Sequence, residues 1–145
     1  MKKIAVKVKK LDPLAQIPSY QSVEAAGFDL HSIEDKVIYS GQRVLVRTGL
    51  AVALTPGYEL QIRPRSGLAL KKGITVLNSP GTVDSDYRGE LMALLINHSE
   101  EPFEIKIGER IAQAVINEII QADFAVVDEL NDTLRGVGGF GSTGV

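Results

Sequence analysis

The chain has 145 residues, a formal net charge of −2 and 44% hydrophobic residues, enough for one domain with its own core. It has no cysteine, which excludes disulfides, thiolate zinc sites and a cysteine nucleophile, and suits a reducing cytoplasm. The slight negative charge argues against nucleic acid as a partner, no run reaches the length of a membrane span, and Lys7, Lys9 and Lys10 interrupt any signal-peptide core after Met1, so a soluble cytoplasmic protein is expected.

Ile4, Val6 and Val8 alternate with Ala5, Lys7 and Lys9, the pattern of a half-buried strand. A loop with Pro13 and Pro18 leads to Ala25-Ala26-Gly27-Phe28-Asp29-Leu30, where Gly27 permits close backbone approach and Asp29 adds a carboxylate. By themselves these two read as a strand bulge and a solvated acid. Further strands are expected from Val37 to Tyr39 and from Val44 to Leu54, the second interrupted at Thr48-Gly49, before Thr55-Pro56-Gly57 turns the chain.

Tyr58, Leu60 and Ile62 alternate with Glu59, Gln61 and Arg63, a strand that delivers Arg63-Pro64-Arg65-Ser66-Gly67. Extended backbone repeats every second residue, so Arg63 and Arg65 are expected to face one site. Ser66 is the expected N-cap of a short helix, 67–72, closed by Gly73; free N–H groups beside arginines would suit an anion. Surface acids pairing with those arginines are the plain alternative.

Gly73 to Leu77 reads as a strand, Asn78 to Gly81 as a hairpin tip, and Thr82-Val83-Asp84 as the returning strand. Asp84, Asp86, Tyr87 and Arg88 then arrive within five positions, supplying carboxylates, an aromatic plate and a candidate general base. An isolated Asp-x-Asp is also ordinary turn chemistry. A calcium loop starting at Asp84 fails, because Arg88 and Leu95 stand where oxygen ligands are required.

Glu90 to Ile96 does not alternate, and a strand apolar on both faces needs cover on both, which points to a subunit interface; Ala114-Val115-Ile116 and Ile119-Ile120 read the same way. Phe103, Ile105 and Ile107 alternate, Gly108-Glu109 turns the chain, and Arg110 to Gln113 opens the next strand. His31 and His98 have no metal-ligand or triad spacing. Five of the seven arginines, Arg63, Arg65, Arg88, Arg110 and Arg135, sit in turns marked by glycine or proline, a bias toward a phosphorylated ligand.

Arg135 to Gly144 holds five glycines in ten residues and is expected to be mobile when empty. Its literal G-x-G-x-x-G, Gly139 to Gly144, is no dinucleotide signature, since a helix must follow and only Val145 does. The stretch reads either as a disordered tail or as a wrap, because Arg135, Phe140, Ser142 and Thr143 offer a phosphate fork, an aromatic face and hydroxyls. The expected fold is all-β, a jelly-roll-like antiparallel sandwich or barrel with one short helix, divided into a body, 1–134, and a glycine-rich C-terminal arm, 135–145.

In order and spacing, Ala26 to Leu30, Arg63 to Ala69, Asn78 to Glu90, Gly108 to Gln113 and the glycine-rich arm resemble the five motifs of the trimeric dUTPase family. The resemblance implies magnesium-assisted hydrolysis of dUTP to dUMP and pyrophosphate, which keeps uracil out of DNA and supplies dUMP for thymidylate synthesis. Asp84 matches the family's general base, which acts on a water that attacks the α-phosphorus in line. Asn78, Gly81 and Val83 would read the uracil edge, and Tyr87 would pack under the deoxyribose. Arg65, Ser66, Gly67 and Gln113 would hold phosphates, and Asp29 would order water on a Mg2+ ion carried mainly by the triphosphate. The arm would close over the nucleotide, with Phe140 on the uracil and Arg135, Gly141, Ser142 and Thr143 toward the phosphates. The resemblance also implies a homotrimer with sites shared between subunits. A dCTP deaminase of the same fold group and a protein-binding jelly roll without activity are the other readings.

Overall fold

A computed structural model describes residues 1–144; Val145, the last residue of the expected arm, lies outside the described residues. One antiparallel sheet has the order β1 (Val6–Lys10), β4 (Arg43–Leu54), β8 (Glu90–Asn97), β6 (Ile74–Val76). A second has the order β2 (Gly27–His31), β10 (Arg110–Glu118), β5 (Tyr58–Arg63), β7 (Gly81–Val83). A separate ribbon pairs β3 (Lys36–Ile38) with β9 (Phe103–Ile105), and α1 (Ser66–Lys72) is the one helix among the described residues. Leaving the ribbon aside, successive strands alternate between the two large sheets. The chain therefore crosses the sandwich at each connection, the jelly-roll habit expected from the sequence.

The period of two explains the core. Val46, Leu50, Leu91 and Leu95 from the first sheet meet Leu30, Leu60, Ile62 and Ile111 from the second, all buried. Each fully buried aliphatic side chain of this size contributes about 1.5–3 kcal/mol. Along β8 burial alternates strictly: Leu91, Ala93 and Leu95 point inward, while Met92, Leu94 and Ile96 stay half-exposed. The apolar run thus leaves an apolar stripe on the outside of its sheet. Asn97 closes the strand as a buried amide whose Nδ2 donates to the carbonyls of Ile38 (2.8 Å) and Glu101 (2.7 Å), tying the ribbon to the first sheet.

The expected hairpin at Asn78 is instead a corner between sheets. β6 pairs with β8, and β7 pairs with β5, so the strands flanking Asn78 are not partners. Both strands carry core residues: Ile74 and Val76 on one side of the sandwich, Gly81 and Val83 on the other. Turn residues mark where a chain reverses, but the neighbour of the returning strand is set by which layer has room for its apolar face.

The helix start also differs from expectation. Arg65, with extended φ −93° and ψ 132°, is the N-cap, Ser66 is already helical, and no side chain caps the end. Gly73 closes α1 as expected, in the left-handed region at φ 65°, donating its N–H to Ala69 O at 3.2 Å. The stretch at Thr48-Gly49 does not end β4; it is a register shift between Arg47 and Ala51 with Gly49 at φ 70°.

Candidate active site

Two polar regions form in one chain. The first surrounds the corner: Asn78, Gly81, Val83, Asp84, Tyr87 and Glu90 line a cleft of about 310 Å³ with Leu45, Ile62 and Met92. The second is a ledge on the outer face of the other sheet, where Asp29, Gln113 and Arg63 stand in register across β2, β10 and β5.

The corner is fixed by its own backbone. Ser79 Oγ donates to Val76 O, and Ser79-Pro80 is cis. Tyr87 N donates to Asp84 O at 3.1 Å, and Arg88 Nη1 donates to Ser85 O at 2.7 Å and to Tyr87 O at 3.1 Å, so Arg88 ties down the turn. Gly89 is required by close approach, since a Cβ there would collide with the Tyr87 hydroxyl. That hydroxyl donates to Glu90 O at 3.1 Å, laying the ring along the cleft. Asp84 is exposed, and its carboxylate makes no hydrogen bond or ion pair among the described residues. An exposed carboxylate beside a cleft is free to accept a proton.

The ledge is built the opposite way. Asp29 forms ion pairs with Arg65, whose Nε lies 3.3 Å away, and with Arg110, whose Nη1 lies 3.6 Å away, while Arg65 Nη1 donates to Arg110 O at 3.3 Å. Gln113 donates Nε2 to Pro64 O at 3.0 Å. Gly27 lies close beside it, where a Cβ would fall 2.5 Å from Gln113 Oε1 and displace that amide. Arg63 and Arg65 do not converge as a free pair: Arg63 folds back onto Gln61 Oε1, at 3.0 Å from Nε and 2.7 Å from Nη2, and Gln61 in turn donates to Glu59. His31, beside Arg110, is pushed below the ordinary imidazole range, first by burial and then by the Arg110 and Arg65 charges, against the pull of Asp29. Its Nδ1 is buried without a partner.

The cleft and the hollow beside the ledge have no lining residue in common. Ile62 lines the first, while Gln61 and Arg63 line the second together with Gln113 and Ser79. Ser66 and Gly67, both exposed, stand at the start of α1 next to Arg65. The arm joins neither region. β10 ends at Glu118, Ile119 N donates to Gly57 O at 2.9 Å, and residues 120–144 carry no strand or helix. Arg135, Phe140, Gly141, Ser142 and Thr143 are exposed, and the hydrogen bonds around them stay within residues 133–144, such as Arg135 Nε to Gly138 O at 2.9 Å.

Sequence reasoning set Arg110 aside, and the structure places it on Asp29. It also passed over Glu90 and its partner Arg47, which lie 43 positions apart and meet only through the pairing of β4 with β8. The register was the missing signal.

A protein-family model described as dUTPase matches residues 14–144. The deoxyuridine 5'-triphosphate nucleotidohydrolase of Nautilia profundicola is 67% identical over 139 residues, covering 96% of this chain and 98% of its own. The protein of that name from Helicobacter hepaticus is 58% identical over 145 residues, covering 100% of this chain and 92% of its own. Among solved structures, a variant of the Staphylococcus bacteriophage 80alpha dUTPase with dUpNHpp superposes with a TM-score of 0.90 at 27% identity, over 97% of this chain and 99% of its own. With the match running from the loop after β1 through the cleft to the arm, the chain belongs to the dUTPase family of hydrolases.

Proposed function

We propose that the corner cleft is where this chain carries out the reaction of its family, hydrolysis of dUTP to dUMP and pyrophosphate, with Asp84 as the general base. The observation that carries the reading is the free carboxylate of Asp84 at the mouth of a cleft lined by Asn78, the β7 backbone and Tyr87. Water attacks the α-phosphorus in line, its proton passes to Asp84, a new P–O bond forms, and the bond to the bridging oxygen breaks as pyrophosphate leaves. Such transfers need positioning and charge neutralisation more than covalent chemistry, which suits a site with arginines and one base. Asn78 with Gly81 and Val83 reads the uracil edge, and Tyr87 packs under the deoxyribose.

Arg65, Ser66, Gly67 and Gln113 are the proposed phosphate contacts, and Phe140 with Arg135, Gly141, Ser142 and Thr143 the proposed closure. Cleft and ledge are lined by separate residues in one chain, and the arm reaches neither. A shared site in a homotrimer resolves this, and the half-exposed stripe of Met92, Leu94 and Ile96 offers the apolar face for assembly. Body, 1–134, and arm, 135–145, then act from different subunits.

Among the described residues no three or more His, Cys, Asp or Glu side chains group to hold a metal. The donor set fits an ion that arrives on the triphosphate, with Asp29, already held by Arg65 and Arg110, meeting only its water. Magnesium so bound supplies neutralisation of the triphosphate charge. Among the described residues no helix is long and apolar enough to cross a membrane. Lack of cysteine and a free nucleotide as substrate support a cytoplasmic location.

The test is pyrophosphate release from dUTP, dTTP, UTP and dCTP side by side with magnesium, together with ammonia release from dCTP. Release from dUTP alone is expected. Ammonia from dCTP would move the chain to the deaminases, and no release from any nucleotide would leave a binding module.

A further inference from the structure

The cleft is lined by a second carboxylate, that of Glu90, whose side chain is only 13% exposed. Two uncompensated acids facing one cleft would repel each other and hold a proton between them more tightly. Glu90 is compensated by Arg47. Nε lies 3.0 Å from Oε2 and 3.3 Å from Oε1, and Nη2 lies 3.0 Å from Oε1, a two-pronged fork. The pairing of β4 with β8 makes this reach possible: Arg47 stands opposite Met92 and so lies diagonal to Glu90. Arg47 is itself held, since its backbone N–H donates to Glu34 Oε1 at 3.0 Å. The same Glu90 presents the main-chain carbonyl that accepts the Tyr87 hydroxyl at 3.1 Å.

We infer that Arg47 is a positioning residue for the reaction: it cancels the Glu90 charge so that Asp84 is the one uncompensated carboxylate of the cleft, and it anchors the carbonyl that orients Tyr87. The titratable side chains lining the cleft are Asp84, Tyr87 and Glu90, while β5 and β4 contribute the uncharged Ile62 and Leu45. Behind Arg47 stand Glu34, 3.5 Å from Lys36 Nζ, and the more distant Asp12. On the turn, Arg88 is spent on the Ser85 and Tyr87 carbonyls, and Asp86 is exposed.

The inference rests on Asp84 as the base, and the experiment separates the two. The pH profile of kcat/KM for dUTP and the dUTP to UTP preference are measured for the native enzyme, Arg47→Met, Arg47→Met with Glu90→Gln, and Arg47→Lys. In Arg47→Met the acid limb should move to higher pH by about half a unit or more, because the uncompensated carboxylate of Glu90 then opposes loss of the proton from the base. The UTP preference should rise with it. Adding Glu90→Gln should return the limb toward its native position. Arg47→Lys keeps the charge without the fork, so its limb should stay while its sugar preference loosens; this variant decides the matter if Arg47→Met does not fold. An unmoved limb in Arg47→Met, a limb that stays shifted in the double variant, or a shifted limb in Arg47→Lys overturns the role of Arg47. An active Asp84→Asn enzyme overturns the reading beneath it instead.

Discussion

Asp84 and Asp29 are both aspartates in short motifs, and their surroundings give them opposite work. Asp29 lies on the ledge with an arginine on either side, and its side chain is 17% exposed. Asp84 stands just past the end of β7 and forms no ion pair among the described residues. A carboxylate held by two guanidinium groups is a fixed negative point that orders what surrounds it, whereas one without a partner can take up a proton. The difference separates a scaffold anion from a base, and each predicted variant is a way to blur or sharpen it.

The largest effect is expected when the base and the arm are split between molecules. One protein carries Asp84→Asn and another ends at Leu134; each alone should be nearly inactive. After unfolding and refolding together, about a quarter of sites in random trimers would combine an intact Asp84 with an intact arm from a neighbour, so activity should return. Mixed oligomers confirmed by sizing but without dUTP hydrolysis would show that base and arm act within one chain.

Next comes Asp84→Asn by itself. Turnover should fall by roughly 10² or more with nucleotide binding kept, as for loss of a general base, while Asp86→Asn does far less. Equal losses in a steady-state comparison of the two would erase the distinction between the free carboxylate and its neighbour.

Asp29→Asn should act on a different quantity. It leaves Arg65 and Arg110 facing one another, so urea unfolding should show a loss of about 1–3 kcal/mol, with KM for the magnesium complex of dUTP rising more than kcat falls. A kcat loss as deep as that of Asp84→Asn would mean that the ledge carries the base. Tyr87→Ala is the subtlest of the set: it should cost about 1–3 kcal/mol of stacking and weaken discrimination of dUTP from UTP more than from dTTP. An unchanged ribose preference would remove the ring from the sugar site.

The structure bears out part of the sequence reading and corrects part of it. Alternation in Tyr58 to Arg63 and the glycine at position 73 were enough to place a strand and a helix end, because both depend on local backbone preference. The helix start was misplaced by one residue, since Ser66 is a good cap by type but the chain is still extended at Arg65. The supposed hairpin at Asn78 failed for a different reason: its turn residues were read rightly, yet its strands pair with β8 and β5 rather than with each other.

What the sequence by itself determined is the all-β class, the family carried by its five motifs, and the chemical kinds gathered in the cleft. The class follows from periodicity and turn chemistry, and the family from the resemblance of short motifs, all of which are written locally. Tertiary structure alone decided that Asp29 is doubly paired, that Arg47 reaches Glu90 across the pairing of β4 with β8, and that cleft and ledge are lined by separate residues. Those facts depend on which strands become neighbours and in what register. That is settled by how two apolar faces pack over one core, and no short stretch of the chain encodes it.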